Sequence, residues 1–240
     1  MQPEPVTPLP PRRLARTVLT QRWRDLAFLH WPLDPGVVRP LLPPGVEPDT
    51  LDGTTYVGLI GFLTAGTGVL GAPELPRLGR FAEMNVRVYS VDAAGRRGVV
   101  FLSLDAGRLA PVLPGRLAYG LPYCWSRMGI TRRGDLYAYT CRRRWPAPRG
   151  VTSRMAVRVR ELITAPSGLD HFLTARWGLH ASRRGRTRYT PNVHPRWRLY
   201  RADLADLDDW LIAAAGLPRP AGPPASVLWS PGLDVRFGPS

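Results

Sequence analysis

No lysine occurs in these 240 residues; all 33 basic side chains are arginine. Without a side-chain amine, lysine imine catalysis and a lysine-anchored pyridoxal phosphate are both excluded. Cysteine is scarce as well. Cys124 and Cys141 stand in no CxxC arrangement, are too few for a disulfide scaffold, and fit a reducing compartment. No run of about 18 apolar residues is present, which leaves no candidate membrane span. The N-terminal MQPEPVTPLPPRRLAR has no apolar stretch of the secretory kind, so a cytoplasmic location is expected. The histidines, His30, His171, His180 and His194, share no metal-ligand spacing. G-x-S-x-G and P-loop motifs are missing, and Gly66-Thr67-Gly68 lacks the strand–helix context of a dinucleotide fingerprint. No metal and no cofactor are expected.

What is present is ordinary globular material, 44% hydrophobic and 21% charged, with 24 glycines and 27 prolines. Such a chain turns often and builds short elements. The net charge of +15 would suit an anionic partner. The complete replacement of lysine by arginine instead reads as a coding bias that inflates charge without selecting a polyanion.

Residues 1–17, rich in proline and arginine, read as a disordered tail, and residues 18–237 as a single domain. Strands are expected over Trp23–Trp31, Thr54–Leu63, Glu83–Val91, Gly98–Asp105, Leu121–Ile130, Leu136–Arg144, Val151–Ile163 and Ser226–Phe237, from their alternation and bounding turns. Trp177–His180, Thr187–Asn192 and Trp197–Tyr200 look extended, and residues 64–80 read as a loop. Short helices are expected over Pro35–Leu42, Pro111–Tyr119 and after Ser167. The clearest helical pattern is Asp203–Ala215, with Leu204, Leu207, Leu211 and Ile212 on one face and Gly216 as the stop. The fold class is α+β, rich in β.

The segment Glu83-Met84-Asn85-Val86-Arg87-Val88-Tyr89 is the most informative. Alternation places Glu83, Asn85, Arg87 and Tyr89 on one face and Met84, Val86 and Val88 on the other. Pairing it with Phe101–Asp105 so that apolar faces coincide brings Asn85 near Ser103 and Glu83 near Asp105, with Arg87 one diagonal step away. Such a group is either a solvated face with an ion pair or the wall of a polar cavity. In a cavity, adjacent carboxylates would raise one pKa to give an acid/base group, and Arg87 would hold a carboxylate. Further along, Tyr123, Trp125 and Arg127 share a face. Tyr123 could donate a proton and Arg127 bind an anion, or the strand is an aromatic core with a snorkelling arginine. His30 lies inside an otherwise apolar strand. The clusters Arg142-Arg143-Arg144-Trp145 and Arg183–Tyr189 could hold nucleic-acid phosphates, although such runs are more often solvated strand ends.

The strings WRDLAFLHWPLDPGVVRPLLPPGVEPDTLDGTTYVGLIGF, FAEMNVRVYS, FLSLDA, GLPYCWSRM and HFLTARW resemble the YqjF-like family of uncharacterised proteins, a domain of unknown function. That family resembles in turn the acetoacetate decarboxylase fold, a β cone or barrel with an internal cavity and a few peripheral helices. The resemblance implies that Glu83 matches the cavity glutamate of the decarboxylases. Gly120-Leu121-Pro122-Tyr123 matches their Gly-x-Pro-Lys segment, with Tyr123 where the imine-forming lysine would stand. The expected site is therefore Glu83, Asp105 and Tyr123 as acid/base groups, with Asn85, Arg87, Ser103, Arg127 and His30 binding substrate. The expected partner is a small carboxylate or carbonyl metabolite. A non-catalytic sensor or carrier and a basic nucleic-acid binder are the alternatives, and a homo-oligomer stays open.

Overall fold

The strand carrying Glu83 forms part of a wall shared by two closed rings of β-structure in a computed structural model, which describes residues 2–71 and 79–240. The strands are β1 (Leu19–Leu33), β2 (Val46–Pro48), β3 (Thr55–Val69), β4 (Phe81–Asp92), β5 (Arg97–Ala106), β6 (Tyr123–Arg133), β7 (Leu136–Trp145), β8 (Thr152–Leu162), β9 (Gly178–Arg183), β10 (Arg186–Val193), β11 (Tyr200–Asp209) and β12 (Ser226–Phe237). Short helices α1 (Pro35–Val38), α2 (Leu109–Tyr119), α3 (Gly168–Thr174) and α4 (Leu211–Ala214) decorate them. Ser167 caps α3 through a reciprocal pair with Asp170, as its sequence position suggests.

The first ring runs β5–β6–β7–β8–β11–β12–β1–β3–β4 and closes through β4–β5 pairing. Ala27, Leu29, Met84, Val86, Met155 and Val157 pack in its core. The second ring leaves the same wall in the other direction, through β9 and β10 to β12. Tyr89, Val99, Phe172, Leu179, Val235 and Phe237 form the cluster on that side. Because the wall is covered on both faces, Leu26–Trp31 of β1 is buried throughout, and its near-continuous apolar sequence follows from that. Gly232 lets β12 cross β1 closely: at φ 112°, any Cβ there would collide with the Trp23 carbonyl.

Two expectations fail. The 203–215 region is not one helix. Tyr200–Asp209 is a strand paired with β8, and only Leu211–Ala214 turns helical. The neighbouring strand decides this: Arg154 pairs with Asp206 and Arg160 with Asp203 across the ladder. Tertiary pairing thus overrides a 3.6-residue pattern carried by only four apolar positions. The 64–80 region is not wholly loop either, since Thr64–Val69 continues β3 against β1; residues 72–78 lie outside the described residues. Residues 2–17, read as a disordered tail, contain no helix or strand. They touch the domain where Glu4 N–H donates to the Gly95 carbonyl at 2.9 Å and Trp177 Nε1 donates to the Thr7 carbonyl at 3.1 Å.

Candidate functional site

The second ring encloses a cavity of about 480 Å³. Its walls are largely apolar, with Trp23, Phe81, Phe101, Leu104, Trp197 and Phe237 among them, and α2 contributes Pro111, Pro114 and Gly115. Alternation along β4 delivers Glu83 and Arg87 to this space. Parallel pairing of β5 with β6 sets Tyr123 beside Leu104, on the same side. The Tyr123 hydroxyl donates to Glu83 Oε2 at 3.4 Å. Burial pushes the Glu83 carboxyl up to about 8, opposed by hydrogen bonds from Tyr123 and Asn85 and reinforced weakly by the charge of Asp105. Glu83 is therefore a neutral acid at neutral pH. Burial, with the adjacent Glu83, also raises the Tyr123 phenol well above its ordinary value.

Further along the same wall, Arg87 Nη2 donates to the Leu173 carbonyl at 2.9 Å, while its Nε has no partner. No carboxylate forms an ion pair with Arg87 among the described residues. Behind it, the Tyr89 hydroxyl meets His30 Nε2 at 2.9 Å and the Leu173 carbonyl at 2.8 Å. Burial, then the charges of Arg87 and Arg176, hold His30 well below its usual pKa. His30 is thus a neutral support for Tyr89 and does not line the cavity.

Five of the expected site residues do not line the cavity: His30, Asn85, Ser103, Asp105 and Arg127. Asp105 pairs with Met84, not Glu83, and Glu83 stands opposite Ala106. Asp105 faces the first ring, where Oδ1 accepts from Ser126 Oγ at 2.7 Å and Arg143 Nε at 2.9 Å, and Oδ2 accepts from Arg143 Nη2 at 2.7 Å. Ser103 stands opposite Val86, on that same side. The register derived from matching apolar faces fails because both faces are buried, so neither has to be apolar throughout, and a bulge after Val86 shifts the ladder once more. Arg127 is exposed on β6 beyond a register shift at Trp125 and lines a separate cleft with Arg142. Asn85 is placed beside Glu83 rather than on the cavity wall.

Other lining groups carried no motif. Arg176 is buried against Phe172 and ion-paired with Asp49, and its Nη2 has no partner. Asn192 Oδ1 is likewise unpartnered. His194 meets the Pro195 carbonyl through Nδ1 at 2.7 Å, and burial lowers its pKa to about 4. A neutral ring donating from Nδ1 leaves Nε2 as an acceptor. These residues come from β10, its C-terminal flank and the segment after α3, and nothing in their local sequence sets them apart. The string HFLTARW, which contains Arg176, was the one available signal.

Residues 20–234 match the pattern of DUF2071, described as an uncharacterized conserved protein. The chain belongs to the DUF2071 family. This DUF2071 chain is 28% identical over 222 residues to the uncharacterized protein YqjF of Bacillus subtilis (strain 168), a match covering 92% of this chain and 91% of the relative. Among solved structures it resembles acetoacetate decarboxylase from Legionella pneumophila, with a TM-score of 0.64 at 13% identity over 96% of this chain and 90% of that one. It also resembles the enduracididine biosynthesis enzyme MppR complexed with pyruvate, with a TM-score of 0.61 at 15% identity over 95% and 90% of the two chains. An acetoacetate decarboxylase-like enzyme from Sphingomonas wittichii RW1 gives 0.62 at 14% identity, covering 95% of this chain and 93% of that one. At these identities the likeness is one of fold, and the fold is that of the acetoacetate decarboxylases. Among the described residues, no helix is long and apolar enough to cross a membrane.

Proposed function

We propose that the cavity binds a small carboxylate bearing a carbonyl group and moves a proton next to that carbonyl, without an imine. One observation carries the reading: a neutral buried acid, Glu83 with a pKa of about 8, shares an apolar cavity with Arg87, a guanidinium that has no carboxylate partner among the described residues. Arg87 binds the ligand carboxylate through its planar fork. The ionised form of Glu83 takes a proton from the carbon beside the carbonyl, whose C–H electron pair passes into the enolate, and the acid so formed returns a proton to that carbon. The carboxylate left behind accepts from the Tyr123 hydroxyl. With no lysine in the 240 residues, the electron pair is stabilised as an enol or enolate. The pyruvate complex of MppR supports the ligand class by analogy of fold.

The test measures binding of pyruvate and longer 2-oxo acids by calorimetry, and deuterium exchange from D₂O at the carbon beside the carbonyl by NMR. The reading expects both in the native chain. Glu83→Gln should abolish exchange while retaining binding, and Arg87→Gln should weaken binding about tenfold or more. Absence of oxo-acid binding, or exchange unchanged in Glu83→Gln, overturns it. Tight binding without exchange replaces it with a carrier or sensor.

A further inference from the structure

We propose that a second site, separate from the cavity, binds a small polyphosphate-type anion in a cleft walled by arginine. The cleft, open to solvent, has a volume of about 450 Å³ and is lined by Arg127, Arg142, Arg143, Arg144, Arg149 and Gly150. Arg143 is committed to Asp105 on the inner side. The other four arginines are exposed, and none forms an ion pair among the described residues. No carboxylate lines the cleft.

Coding bias accounts for the number of arginines but not for their placement. On β8 and β1 several arginines are matched by aspartate: Arg154 with Asp206, Arg158 with Asp135, Arg160 with Asp203, and Arg24 with Asp234. In the cleft no carboxylate matches the arginines. Arg127 stands directly opposite Arg142 in the β6–β7 ladder, an arrangement of like charges that destabilises a sheet. The end of β7, with Arg144, and the turn after it, with Arg149, are closed by Gly150 N–H donating to the Arg143 carbonyl and Arg143 N–H donating to the Val151 carbonyl, both at 2.8 Å. Arg144 is further fixed over the Trp125 ring, 5.0 Å from its centroid. The repulsion is thus built into a closed backbone frame. A single carboxylate would leave most of that charge uncompensated, whereas a di- or triphosphate supplies several charges and many acceptor oxygens for guanidinium forks. The Arg183–Tyr189 cluster also sets Arg183 opposite Arg186, on the β9–β10 hairpin, but lines neither the cavity nor the cleft.

The test titrates the full chain with sodium tripolyphosphate by calorimetry at low and moderate salt, with inorganic phosphate and single-stranded oligonucleotides of two lengths as further arms. The proposal expects saturable one-to-one binding of triphosphate, tighter than phosphate and weakened by salt. Arg127→Ser/Arg142→Ser should lose about tenfold or more in affinity. Arg183→Ser/Arg184→Ser, with the same change in net charge, should lose little. If the cleft variant is poorly folded, Arg149→Ser, on the turn outside the ladder, carries the same expectation. Equal losses in cleft and hairpin variants, absence of saturable binding, or an oligonucleotide that binds more tightly than triphosphate and tightens with length would each overturn the proposal.

Discussion

The Tyr123 hydroxyl donates to Glu83 Oε2 across 3.4 Å, although 40 residues separate them in the chain. This contact joins the two positions that the sequence resemblance singles out, and it exists because β6 runs parallel to β5 while β4 pairs with β5 on the other side.

Glu83 makes stability depend on pH. Burial pushes the folded Glu83 carboxyl from its ordinary value of 4.5 up to about 8. Between these values the folded chain holds a proton that the unfolded chain releases. Its contribution is therefore full below about pH 4.5, falls as pH rises, and is lost above about 8. Urea midpoints measured across this range should fall with pH in the native chain, and Glu83→Gln, which stays neutral, should flatten that slope.

Arg143 and Asp105 form a pair in which both side chains are at most 4% exposed. Arg143→Ala leaves a buried carboxylate without its cation and should cost about 3–5 kcal/mol in chemical denaturation. Asp105→Asn/Arg143→Met, which removes both charges, should recover much of that loss.

Gly115 tests the packing of α2 over the site. A Cβ at this position falls on the Tyr123 ring. Alanine in a helix ordinarily gains about 1 kcal/mol over glycine, but overpacking here should reverse the sign and cost about 1–3 kcal/mol. Gly168→Ala in α3, where a Cβ meets nothing within 4 Å, is the control and should be neutral or stabilising by thermal melt. Displacement of Tyr123 should also weaken oxo-acid exchange.

Both cysteines should resist thiol reagents. Burial, then the nearby Asp105, raises Cys124 to about 11 and Cys141 higher still. Labelling of the native chain at mildly alkaline pH should be negligible and become complete on unfolding.

The β4–β5 and β6–β7 hairpins were legible because turn residues and alternation coincide locally. So was the side of β4 that carries Glu83 and Arg87, since strand alternation needs no partner to define it. Asp105 was misplaced because the rule of matching apolar faces presumes one solvated face, and this wall has none. The helix expected over Asp203–Ala215 gives way to a strand up to Asp209 because cross-strand pairing with the arginines of β8 outweighs a local helical period. Arg176, Asn192 and His194 went unseen because they enter the cavity from segments brought in only by closure of the second ring.

The sequence by itself determined the chemistry that is unavailable, through the missing lysine, and the residues that share a strand face, because composition and alternation are properties of the chain alone. Only the tertiary structure decided that Glu83 meets Tyr123 while Asp105 turns to Arg143, and that Arg127 joins an arginine cleft instead of the cavity. Register, parallel pairing and ring closure are set by how distant strands bury both faces of one wall, and that is a property of the assembled sheet.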